Sequence, residues 1–290
     1  MFGNPFCFLD YLINSDIICL VVKGDIVMKF LILFLVAALI SSIGFKRFVW
    51  FISLGYGFSI AGIGVTLLVM FARSLTPVTA VMSVLFIIYG CRLGGYLLIR
   101  ERKSASYQNT MKNDIKDGSD MKLFPKICVW LSCALLYVLE ASPVLFRLES
   151  GNNDNGFAVA GVIVMALGIL LESASDLTKN KFKKKNPKRF CDVGLFKIVR
   201  CPNYFGEVLT WTGVFVSGIS AYRNALEWIC AIAGWVCIVY IMFGGARRLE
   251  IRQNKNYGNN PEYQEYVKKT PILLPLVPLY SVEKYKWLVG

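Results

Sequence analysis

Residues 194–207 read Gly-Leu-Phe-Lys-Ile-Val-Arg-Cys-Pro-Asn-Tyr-Phe-Gly-Glu, between an apolar run at 156–171 and another that begins at Phe205. Cations, an amide and a carboxylate set between two such runs belong at a bilayer surface, where they need a ligand or one another as partners. The chain around them has 290 residues, of which 56% are hydrophobic, with a mean hydropathy of +0.53. That composition predicts an integral membrane protein. A span needs about 20 apolar residues. Runs of about that length occur at Lys29 to Phe45, Phe48 to Phe71, Val78 to Ile99, Ile127 to Phe146, Gly156 to Leu171, Phe205 to Ile219 and Trp228 to Gly245. The expected fold is therefore all-α, a polytopic bundle of about seven transmembrane helices, the sixth short. Residues 1–25 form an N-terminal apolar segment. Its stretch Phe6 to Val22 carries Asp10, Asn14 and Asp16, so it is expected to lie in the interface or to add an eighth span. No clear cleavage site follows it, and it is kept in the mature chain. Residues 26–290 are expected to form a single transmembrane domain.

Charge orients the bundle. Alternate connections hold two cations (Lys46, Arg47), seven (Arg100 to Lys126), nine (Lys179 to Arg200) and eight (after Gly245), out of 32 Lys and Arg in the chain. The positive-inside rule then predicts a cytoplasmic C-terminus and basic cytoplasmic loops, with the N-terminus outside. The stretches Glu101 to Lys122 and Lys179 to Lys188 are expected to be such loops. Asn186-Pro187 opposes a continued helix there. The net charge of +13 follows from this topology and from attraction to anionic lipid, and calls for no nucleic acid. Nine cysteines lie scattered, mostly in apolar runs and with no Cys-x-x-Cys, as packing residues. The chain has no histidine, which removes Ser-His-Asp and Cys-His catalysis and every His-containing metal centre.

Candidate chemistry then rests on a few polar groups inside or beside the spans. Glu172 and Asp176 are four residues apart at the end of the fifth run, so they share a face if the helix continues. Asn203 and Glu207 repeat that spacing at the start of the sixth, after Pro202, which suits a first helical turn. A helix N-terminus of this kind favours an anion, though a simple capped helix has the same local sequence. Tyr89, Arg92 and Tyr96 fall on one stripe of the third helix. Arg92 can snorkel to the surface, but an intramembrane ionisable residue is also a candidate for function.

Taken in order, Glu172-Ser-Ala-Ser-Asp176, Lys181-Phe-Lys183, Gly194-Leu-Phe, Arg200-x-Pro-Asn-Tyr-Phe-Gly-Glu207, Tyr257-Gly258 and Pro261-Glu-Tyr-Gln-Glu-Tyr266 with Thr270-Pro271 and Pro275 resemble the steroid 5-alpha-reductase C-terminal domain family, in its bacterial-type membrane branch of unknown function. The resemblance covers about residues 89–278. It implies a membrane enzyme that binds NADPH at the cytoplasmic side and reduces a carbon–carbon double bond conjugated to a ketone in an apolar lipid or steroid-like substrate. Carried over by position, Asp176, Asn203 and Glu207 would hold the nicotinamide and ribose, with Glu172 and Tyr204 in the same cofactor site. Arg92, Lys183 and Arg200 would lie near the phosphates, and Tyr89 would donate to the substrate carbonyl. No metal is implied, and the oligomeric state is open.

Two positions depart from that pattern. Steroid reductases pair the tyrosine with a Gln-Glu on the second helix, whereas 48–71 holds no carboxylate, and Cys201 stands where the branch usually has histidine. A membrane methyltransferase using S-adenosylmethionine shares an Arg-x-Pro-x-Tyr element, and a non-enzymatic lipid-binding protein is a third reading.

Overall fold

A computed structural model describes residues 24–103, 121–151 and 153–288. The segment Phe6 to Val22 lies outside the described residues. Eight helices and no strand occur among those that are described. They are α1 (Gly24–Phe45, its last turn Ser42–Phe45 a 3-10 helix), α2 (Leu54–Met70, entered through the 3-10 turn Phe48–Phe51), α3 (Pro77–Lys103) and α4 (Leu123–Ser150). Then follow α5 (Gly156–Lys185), α6 (Pro202–Gly218), α7 (Ala225–Tyr257) and α8 (Pro261–Lys269). Six of them, α1 to α5 and α7, are long and apolar enough to cross a membrane. The expected short sixth helix is α6, with 17 residues. The chain is a multi-pass integral membrane protein.

One expectation needs correcting. The stretch Lys179 to Lys188 is not a loop, because α5 continues through Lys185 and stops only at Asn186, whose N–H bonds back to the Phe182 carbonyl. Lysines and asparagine beyond the apolar run are compatible with helix, and cations in the last turn suit the negative end of the helix dipole. Asn186-Pro187 does end the helix, as expected.

The chain divides into two compact units interleaved along the sequence, Met1–Thr66 with Gly90–Val138, and Leu67–Tyr89 with Leu139–Gly290. In the first, glycines let α2 and α3 touch backbone to backbone. A Cβ at Gly57 would lie 2.7 Å from the Gly94 nitrogen, and one at Gly90 would lie 2.2 Å from the Gly57 oxygen. Trp130 donates to the Ala38 carbonyl at 2.8 Å and Tyr137 to that of Phe51 at 2.6 Å, closing the unit around a buried Phe51.

The second unit is organised by α5 and α6, which run antiparallel. Gly161 and Gly168 on α5 face Gly213 and Gly206 on α6, and each pair is seven residues apart, which keeps it on one face. A Cβ on Gly168 would sit 2.4 Å from the Thr210 nitrogen, and one on Gly213 would sit 2.3 Å from that of Met165. Neither fits without moving a backbone. Close approach through small residues is how helices associate in lipid, where apolar burial gives them no driving force. Arg147, which is buried, ties α4 to the end of α6 by donating to the Ser217 carbonyl at 2.7 Å and to the Ser220 hydroxyl at 2.5 Å. Pro143 removes an N–H from α4 and frees the Leu139 carbonyl. Ser142 bonds that oxygen at 2.8 Å, and Gly234 lets α7 lie against it.

Alanine at Gly168 or Gly213 is therefore expected to lower the thermal midpoint in detergent by about 2–10 °C, since overpacking costs about 1–3 kcal/mol. Alanine at Gly95, whose added Cβ meets nothing within 4 Å, is the control and should leave it unchanged.

Candidate functional site

Backbone geometry sets the start of α6. Gly194 adopts a positive φ of 59° in the turn before it, a conformation glycine takes without a steric penalty. The chain then runs extended, with the Arg200 and Cys201 N–H groups bonded to the carbonyls of Pro271 and Ile272 at 2.8 and 3.0 Å. Pro202 follows as the first helical residue, and Cys201 provides no side-chain cap for the first-turn amides. Burial pushes the Cys201 thiol up to about 12 against the opposing pull of Arg200, so it stays protonated and is no thiolate nucleophile.

The glycine contact brings the two acidic-amide pairs together. A Cβ on Gly206 would lie 2.7 Å from the Glu172 nitrogen, so buried Glu172 packs directly on the first turns of α6. The same antiparallel register sets half-buried Asp176 level with Pro202, the residue before Asn203. The Asn203 Oδ1 is buried and accepts no hydrogen bond, a vacancy among acceptors that ordinarily find a donor.

One turn further into the helix, Glu207 is buried and its Oε1 accepts from the hydroxyl of Tyr89, and from the Trp211 indole at 3.0 Å. Tyr89 is itself completely buried. Trp211 fixes the group, its ring 5.8 Å from that of Tyr89 in an edge-on contact and 5.9 Å from that of Phe86 one turn earlier on α3. The tyrosine and glutamate named separately from the sequence are thus direct partners.

Other candidates lie elsewhere. Lys183 donates to the Tyr257 hydroxyl at 3.0 Å and to the carbonyls of Pro187 and Arg189, holding the end of α5 to the end of α7. Arg200 is buried, and its Nη2 bonds the Glu250 carboxylate at 2.7 Å and the Tyr280 carbonyl. Tyr204 packs on Gly245 of α7 and on the cluster of Cys201, Ala246, Leu249 and Ile272. Arg92 is half-buried on the part of α3 that belongs to the other unit. In that unit, too, Tyr56 of α2 rests against Tyr137, with ring centres 5.0 Å apart.

Sequence reasoning did not find Glu250. The second oxygen of its carboxylate accepts the N–H groups of Val282 and Glu283 at 2.8 and 2.9 Å, so one buried residue gathers Arg200 and the C-terminal segment. The segment also carries α8, where Tyr263 and Tyr266 pack with Phe190 and Tyr266 donates to the Phe196 carbonyl at 2.6 Å. An acidic residue amid the cations of 247–252 was the only signal, and it looks like surface charge.

A family model, DUF1295, described as a protein of unknown function, matches residues 33–270. Steroid 5-alpha-reductase DET2 of Arabidopsis thaliana is 39% identical over 67 residues, which is 22% of this chain and 26% of that protein. The match thus spans about a quarter of the length of that curated relative. No solved structure matches the chain.

Replacing Glu250 with alanine strands the buried guanidinium and two backbone donors. The expected loss is about 3–5 kcal/mol of stability, read as a lower unfolding midpoint and as new protease cleavage within residues 270–288.

Proposed function

Because the chain belongs to the steroid 5-alpha-reductase-like DUF1295 family, we propose that it is a membrane reductase that uses NADPH to reduce an enone-type carbon–carbon double bond in an apolar, lipid-like substrate. The observation that carries this reading is the assembly at the start of α6. Buried Glu172 packs there, across a glycine contact, on the turns of α6 that carry Asn203 with its buried, unpaired Oδ1, and one turn deeper the buried Tyr89 hydroxyl is held by Glu207.

The residues present suit the cofactor. Asn203 Oδ1, buried and without a donor, matches a carboxamide N–H or a ribose hydroxyl, and Asp176 and Glu172 add acceptors for the same kind of group. The uncapped first turn of α6 offers amide N–H groups and the positive end of a helix dipole. When bound, NADPH supplies the hydride. The protein's part is to hold the substrate carbonyl against Tyr89, whose hydroxyl stabilises the oxygen as negative charge develops on it. Such a donor is most effective where water is excluded, and Tyr89 is fully buried. Arg200 and Lys183 support the site by fixing the segments around it. The distribution of cations supports a cytoplasmic C-terminus, which sets the cofactor site on the cytoplasmic side.

Purified protein in detergent should unfold at a higher temperature with NADPH, by the equivalent of about 2.7 kcal/mol at a hundredfold excess over Kd. Asn203→Ala should lose that gain, and S-adenosylhomocysteine should give none. Stabilisation by S-adenosylhomocysteine but not by NADPH would assign the site to methyl transfer instead.

A further inference from the structure

The C-terminal segment that Glu250 gathers has an inner and an outer side. Ile272, Leu273, Val282 and Leu288 are buried in one cluster with Ala246 and Leu249 of α7. Other apolar side chains of the same segment turn outward. Leu276 is 100% exposed, and Trp287, next to buried Leu288, is 65% exposed. Leu276 is also strained. Its φ is 66°, and it is the only residue other than glycine with a positive φ among those described. Glycine would form the same turn without the clash that a Cβ brings, so the turn alone gives no reason for leucine. In water this residue would be unfavourable twice, in its backbone and in its bare side chain. In lipid the side chain becomes favourable and offsets the backbone.

The height of the segment is set by α7, which is long and apolar enough to cross a membrane. The exposed residues Ile229, Ile232, Val236 and Tyr240 recur along it at three- and four-residue steps, so they form one stripe. That stripe is the side of α7 that meets lipid. Tyr240 ends the stripe and Trp287 extends it. Their rings stack with centres 6.1 Å apart, and the Tyr240 hydroxyl donates to the Trp287 carbonyl at 2.6 Å. Two turns further on, where the cations of α7 begin, Arg247 donates to the carbonyls of Glu283 and Leu288 at 3.0 and 3.5 Å. The segment is therefore pinned at two levels, one inside the apolar stretch and one at its charged end. Tryptophan and tyrosine gather at that boundary in membrane proteins, and exposed Lys284 and Lys286 stand beside Trp287 in sequence.

We infer that residues 276–287 are a membrane contact separate from the spanning helices, lying along the headgroup region at the C-terminal end of α7. Leu276 and Trp287 enter the upper acyl chains, and Lys284 and Lys286 meet lipid phosphates. The partner is the leaflet of the same bilayer, with anionic lipid preferred because each lysine gains from the negative surface. The inference rests on this segment and is independent of the reductase reading. It has a structural consequence for the site all the same. The Tyr280 carbonyl bonds Arg200, and the Pro271 and Ile272 carbonyls bond the N–H groups of Arg200 and Cys201, so the segment that rests on the leaflet is the one that holds the entry to α6.

The test uses the full chain in phosphatidylcholine nanodiscs and reads single indoles as differences in fluorescence. Trp287 is the wild type minus Trp287→Phe, and the tip is Leu276→Trp minus the wild type. Both signals are expected to fall when the lipid carries bromine on its upper acyl carbons, and to fall less when the bromine lies near the chain ends. Iodide in the water should leave both nearly unchanged. Brominated phosphatidylglycerol should quench Trp287 more than phosphatidylcholine brominated alike and at the same mole fraction, through local enrichment of up to about fivefold per lysine. Lys284→Gln with Lys286→Gln should erase that difference. Quenching of either indole by iodide would overturn the inference. So would an indole that neither bromine nor iodide reaches, because protein and not lipid would then cover it. Equal quenching by the two lipids in the wild type would overturn the role given to the lysines. The two arms use different variants, so neither depends on the folding of the other.

Discussion

Contact between the backbones of α5 and α6 is the constraint on which the rest of the second unit depends. Helices separated by ordinary side chains stand about 8–10 Å apart. At Gly161, Gly168, Gly206 and Gly213 there is no room even for a methyl group. That closeness puts Glu172 on the first turns of α6 and turns the opposite face of α6, with Glu207 and Trp211, toward Tyr89 and Phe86. The four glycines contribute no chemistry. They decide which polar groups can meet.

Much of this was legible in the chain. The apolar runs gave the helices because a span must satisfy all its backbone groups within itself. The four-residue spacing of Glu172 with Asp176, and of Asn203 with Glu207, gave their shared faces. The seven-residue recurrence of glycine on both helices was also there to be read, as a signal of close packing. Long-range partnerships were not legible. Tyr89 and Glu207 are 118 residues apart, and Arg200 finds its partners 50 and 80 residues away at Glu250 and Tyr280. Nothing local in 247–252 separates a buried carboxylate from a solvated one. The extension of α5 past its apolar run was missed for a different reason. Polarity marks where a helix leaves the membrane, and only Asn186-Pro187 marks where it ends.

Arg200 and Glu250 form an ion pair with both side chains fully buried. Such a pair adds little net stability, because removing two charges from water offsets most of their attraction. Its effect is on register. Glu250 can bond Arg200 Nη2 and the N–H groups of Val282 and Glu283 together only with the tail in one position. The Pro271 and Ile272 carbonyls then meet the N–H groups of Arg200 and Cys201, and the entry to α6 is held from the outside as firmly as the glycines hold it from within.

Cys201 stands at that entry, where the pattern the chain resembles has histidine. An imidazole there would gain or lose charge close to neutral pH, and the potential at the helix mouth would follow the acidity of the cell. A thiol held near 12 is electrically silent over the whole physiological interval. Cys201 therefore adds no titration of its own to the mouth of α6 in that interval.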